Sequence, residues 1–77
     1  MSEAMAPSDS PQFRAATAFM SRKGYPNVIP VEVQKVADLS CWYFYYSLPD
    51  GELELEVSWE EAAHEWDMKV VRFEPRG

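Results

Sequence analysis

The sequence predicts an α+β fold in which one N-terminal helix packs on a three- or four-stranded antiparallel β-meander. Three observations predict it. Apolar residues recur at the helical period between a Ser-Pro start and a glycine stop. A Pro-Asp-Gly turn joins two strand-like runs. A further pairing, from Trp59 to Trp66, agrees with the first on which residues share a face. Seventy-seven residues suffice for one core, so 10–77 is read as a single small domain and 1–9 as a disordered tail.

Met1 to Asp9 is rich in Ser, Ala and Pro without any apolar period, which is why a tail is expected there. Ser10-Pro11 then reads as a helix start: a Ser hydroxyl can accept from an early backbone N–H, and proline at the first helical position lacks only a donor that would be orphaned anyway. Arg22, Lys23 and Gly24 form the matching stop, with cations at the negative end of the helix dipole and a glycine able to turn left-handed. The helix over about 11–23 presents Phe13, Ala16, Thr17 and Met20 on one face, with Phe19 beside them. Pro26 and Pro30 prevent its continuation, so an extended connector follows, and Val31, Val33 and Val36 suggest a first strand that turns back over 37–40.

Leu48-Pro49-Asp50-Gly51-Glu52-Leu53 is a hairpin signal between an aromatic run and an acid–aliphatic alternation. Setting Leu48 opposite Leu53 pairs Tyr46 with Leu55, Phe44 with Val57 and Trp42 with Trp59, all apolar. The reverse face then carries Tyr43, Tyr45 and Ser47 against Ser58, Glu56 and Glu54. After a polar turn, Trp66 opposite Trp59 brings Val57 against Met68, Leu55 against Val70 and Glu56 against Lys69. The three tryptophans gather at one end of the apolar face, where a structural aromatic cluster closing the core is the expected role.

Thirteen acidic side chains against seven basic ones give a net charge of −6. Residues 1–38 balance, with Glu3, Asp9, Glu32 and Asp38 against Arg14, Arg22, Lys23 and Lys35, so the whole excess lies in the second half. Such a chain repels phosphate backbones and anionic bilayers, and neither nucleic acid nor membrane is expected as a direct partner. One cysteine excludes an internal disulfide framework and fits a cytoplasmic location; no leader-like or membrane-spanning apolar stretch is present.

Catalytic constellations are thin. If the segment after Trp59 were helical, Glu60 and His64 would share a side at i and i+4, a spacing usable by a metal or an acid–base pair, but one imidazole among carboxylates is a poor ligand set. Cys41 could act as a nucleophile only if activated, and a start-of-strand cysteine is ordinarily inert. With glycine at 24, 51 and 77 alone, no phosphate loop exists. No enzyme and no cofactor are expected, although a small metal- or acid–base-dependent enzyme around His64 is one alternative.

The distinctive feature is Cys41-Trp42-Tyr43-Phe44-Tyr45-Tyr46, aromatic on both faces of one strand. A single helix covers one face only. The other is expected to group Tyr43, Tyr45 and Phe73 inside a rim of Glu54, Glu56 and Lys69, unless Tyr25, Pro26, Val28 and Ile29 fold over it. The sequence therefore points to a small non-catalytic interaction module that docks on a larger protein, or on a second copy, through that face. The other alternative is an acidic inhibitor, of the kind phages and mobile elements encode, whose Glu52, Glu54, Glu56, Glu60 and Glu61 imitate nucleic-acid phosphates.

Overall fold

A computed structural model describes residues 10–36 and 40–76. Its elements are α1 (Pro11–Arg22), β1 (Glu32–Lys35), β2 (Cys41–Leu48), β3 (Gly51–Glu60) and β4 (Glu65–Pro75), with the strands in one antiparallel sheet of order β1-β2-β3-β4. This is the expected α+β meander with a helix on one face. The expected tail over 1–9, and residues 37–39 of the expected turn, lie outside the described residues.

The helix stops for the reason its sequence suggests. Gly24 takes φ +102°, and the N–H groups of Gly24 and Tyr25 donate to the carbonyls of Ser21 and Met20 at 3.1 and 2.9 Å, the paired bonds of a Schellman cap. The start differs from expectation. Ser10 is the N-cap by backbone geometry, but its hydroxyl makes no capping hydrogen bond and is buried without a partner, so the Ser10-Pro11 signal acts here through proline.

Phe13, Ala16 and Met20 are buried against Phe44, Tyr46, Leu48, Leu53, Leu55 and Val57. Phe13 meets Phe44 edge-on at 5.9 Å, and Met20 and Phe44 keep no exposed surface. Each such side chain contributes about 1.5–3 kcal/mol through removal from water. A helix of 12 residues is about 18 Å long, whereas the ten residues of β3 extend over about 34 Å, so α1 cannot reach from one end of the sheet to the other. Its C-terminal end lies at the β2–β3 turn, where the Tyr25 hydroxyl donates to Asp50 at 2.7 Å. The opposite end is finished by an edge-to-face row, Trp42 to Trp66 at 5.5 Å, Trp66 to Trp59 at 5.1 Å and Trp59 to His64 at 5.5 Å, all on the helix side.

The faces of the first hairpin are as expected, but its register is not. Leu48 pairs with Gly51 rather than Leu53, which moves every partner by two: Tyr46 to Leu53, Phe44 to Leu55 and Trp42 to Val57. Pro49 and Asp50 alone make the turn, and neither has a positive φ, as in a type I turn with Pro second and Gly fourth. Gly51 thus belongs to the strand, where a Cβ would lie 2.5 Å from the Glu74 carbonyl and 2.7 Å from the Phe73 ring. In the second hairpin Trp59–Trp66, Val57–Met68, Leu55–Val70 and Glu56–Lys69 pair as expected. A bulge then intervenes, since Leu55 faces Val70 while Glu54 faces Arg72. Among the described residues, no helix is long and apolar enough to cross a membrane.

Candidate partner-binding face

On the sheet face turned away from α1, the register builds rows across the strands. Gln34, Tyr43, Glu56 and Lys69 make one; Glu32, Tyr45, Glu54 and Arg72 make the next; Ser47, Glu52 and Glu74 make the third. Period-two alternation is the cause: each strand sends its apolar residues to the helix and leaves this face to the intervening ones. Two tyrosines on β2 therefore stand between acid-bearing strands, and the cations Lys69 and Arg72 stand on β4.

The electrostatics follow from the rows. The Tyr43 hydroxyl is held protonated to higher pH than usual, chiefly by the Glu56 carboxylate and then by partial burial. For Tyr45 partial burial acts first and Glu54 second. Arg72 binds Glu74, and that hydrogen bond, followed by the charge of Glu74, strengthens its hold on its proton. Arg76 reaches the Ser47 hydroxyl at 3.2 Å, the Leu48 carbonyl at 2.7 Å and Glu52 at 3.7 Å. A shallow cleft between Val31, Tyr45, Glu54 and Arg72 crosses the second row.

Tyr43, Tyr45, Glu54, Glu56 and Lys69 thus come together on one surface. Phe73 does not join them. The bulge at Val71 shifts the phase of β4 by one residue, so Phe73 pairs with Leu53 on the helix side, 41% exposed beside Gly51, and Glu74 takes the place opposite Glu52 expected for it. The sequence carried a signal of this: Trp66, Met68, Val70 and Phe73 are spaced by two, two and three, and an odd step in an alternating strand marks a bulge. Arg72, Glu74 and Arg76 enter the face by that shift, and simple alternation does not find them.

The connector stays on the other side. Tyr25 and Val28 pack against the core, and Pro26 to Ile29 line a groove along α1 with Phe13, Arg14 and Thr17. No described element covers Tyr43 and Tyr45.

Elsewhere the chemistry is sparse. Residues 61–64 form a turn and not a helix; His64 has φ +57° and its ring packs on Trp59, while a Glu60 carboxylate oxygen accepts from the Ala62 N–H at 3.3 Å. Among the described residues, no three His, Cys, Asp or Glu side chains converge to hold a metal ion. The Cys41 thiol donates to Glu56 at 3.4 Å, and burial first and Glu56 second push its pKa up, the opposite of an activated nucleophile. Compared with protein-family models, curated proteins and solved structures, the chain matches none.

Proposed function

We propose that this chain is a small non-catalytic protein-binding module that docks on a larger protein through the open face of its sheet. The observation that carries this reading is the position of Tyr43 and Tyr45, side by side on β2 in neighbouring rows, half-buried and without a covering element. Tyrosine gives a large contact area at small entropic cost and a hydroxyl that can be satisfied at a wet rim. Glu32, Glu54 and Glu56 around them favour a partner with a basic contact surface, and Lys69 and Arg72 on one side set its orientation. A single free thiol is compatible with a reducing, cytoplasmic setting.

One observation favours a second reading. Glu52, Glu54 and Glu56 recur at every second residue, hence about 6.8 Å apart along β3, a straight file of negative charge that a phosphate-binding groove would accept. The file is not uniform, because Arg72 stands opposite Glu54 and Lys69 opposite Glu56. That pattern suits an oriented protein contact better than imitation of a continuous phosphate backbone.

The test is capture of the partner from the host with the tagged chain, followed by titration of two variants. Tyr43→Ala with Tyr45→Ala is expected to weaken binding by about 2 kcal/mol or more per anchor and mainly to speed dissociation. Glu52→Gln, Glu54→Gln and Glu56→Gln together are expected to slow association and reduce salt dependence. A nucleic-acid-binding partner that tolerates loss of the tyrosines but not of the glutamates would establish the mimic in place of the docking module.

A further inference from the structure

The free edge of β4 carries an inference of its own, independent of which partner the open face takes. Because Pro49 and Asp50 alone make the β2–β3 turn, Leu48 and Gly51 are its closing hydrogen-bonded pair, and odd-numbered residues of β3 bond toward β2. Trp59 continues this, its N–H donating to the Ser40 carbonyl at 3.0 Å. Even-numbered residues of β3 therefore bond toward β4, to Glu65, Asp67 and Lys69 before the bulge and to Arg72 and Glu74 after it; Arg76 completes the series, its N–H donating to Asp50 at 3.0 Å. What remains on β4 points away from the sheet: the N–H and C=O groups of Trp66, Met68 and Val70, and later those of Phe73 and the C=O of Pro75.

Among the described residues, this edge is open over one part and closed over the other. Beyond Val70 the bulge disrupts the ladder and Pro75 offers no donor, two ordinary protections of a sheet edge. Over Glu65–Val70 neither device is present. Trp66, Met68 and Val70 lie on the helix side beyond the reach of full helix cover, with Val70 36% exposed, while Asp67 and Lys69 lie on the open face.

We propose that this segment pairs with the same segment of a second copy, antiparallel and centred on Met68. Charge chooses the register. Centring on Met68 sets Asp67 opposite Lys69 of the second copy twice over, in the closer non-hydrogen-bonded positions, with Trp66 opposite the second copy's Val70 and Met68 opposite Met68. Centring on Asp67 or Lys69 sets like charges face to face. Centring on Trp66 sets Glu65 against Asp67, and centring on Val70 brings the two bulges together. The two-fold axis stands perpendicular to the sheet, so both helices fall on one side and both Tyr43–Tyr45 centres on the other, as one continuous surface.

Sedimentation equilibrium of the full chain over micromolar to millimolar concentrations is expected to show a reversible monomer–dimer equilibrium. Asp67→Lys and Lys69→Asp should each weaken it at least tenfold. The double variant should restore it, since the swapped charges again face each other. Met68→Pro removes the central outward donor and should leave a monomer with its far-UV circular dichroism retained. In the unaltered chain, the amides of Trp66, Met68 and Val70 should gain hydrogen-exchange protection as concentration rises. A monomer throughout that series, a dimer indifferent to the charge swaps, or protection of these amides only by a strand of another protein overturns the proposal. None of these outcomes depends on Tyr43 or Tyr45, so failure here and failure of the docking reading are separately visible.

Discussion

The two faces of this sheet are made by the same strands and obey different rules. On the helix side, Phe44, Leu55 and Val57 are fully enclosed within one apolar cluster. On the open side, Tyr43, Tyr45, Glu54 and Glu56 are held in register by the same backbone, but their outer surfaces meet solvent. Alternation couples the faces geometrically while leaving them energetically separate. Stability therefore resides on one face, and the other is free to vary its side chains. Even the tyrosines divide in this way. Tyr46 is 2% exposed with an unpartnered hydroxyl, whereas Tyr43 and Tyr45 owe part of their electrostatics to neighbouring carboxylates.

This contrast breaks down if core substitutions prove mild. Phe13→Ala removes the ring that meets Phe44 and should destabilise the chain by about 3–5 kcal/mol, enough to unfold much of so small a domain; thermal or urea melts measure it. Next in size is Gly51→Ala, whose new methyl collides with the Glu74 carbonyl and the Phe73 ring. A loss of about 1–3 kcal/mol is expected, visible as a lower urea midpoint at unchanged slope.

Tyr46→Phe sharpens the comparison between the tyrosines. It removes a buried hydroxyl that has no partner, so stability should hold or rise by about 1 kcal/mol at neutral pH. Burial pushes the Tyr46 pKa up to about 12. The folded state therefore keeps a proton that the unfolded state, with its pKa near 10, gives up, and stability should fall as pH rises from about 10 to about 12. In Tyr46→Phe this part of the alkaline loss should vanish, which melts across that range would show. On the open face, Glu54→Gln and Glu56→Gln should each change stability by no more than about 0.5 kcal/mol, the smallest effect expected. A loss comparable to that of Phe13→Ala would show that the open face is part of the core after all.

In α1, β2 and β3 residue order alone decided which side chains share a face, because alternation in the two strands and the helical period of Phe13, Ala16 and Met20 are local properties of the chain. The same holds for the helix stop at Gly24 and for the Trp59–Trp66 pairing. An alternating pattern is unchanged by a slip of two, so it could not tell Leu48–Leu53 from Leu48–Gly51. That choice rests on a two-residue turn and on the close approach of Phe73 to a glycine without a Cβ. The bulge at Val71 was likewise a tertiary decision. It gives Phe73 a place over Leu53 and Gly51 on the covered side and turns Arg72 to the open face, and only contact between β3 and β4 makes that exchange favourable. Periodicity assigns faces within an uninterrupted strand; where a strand bulges, and where each partner stands along it, depends on atoms that meet only after the strands have paired.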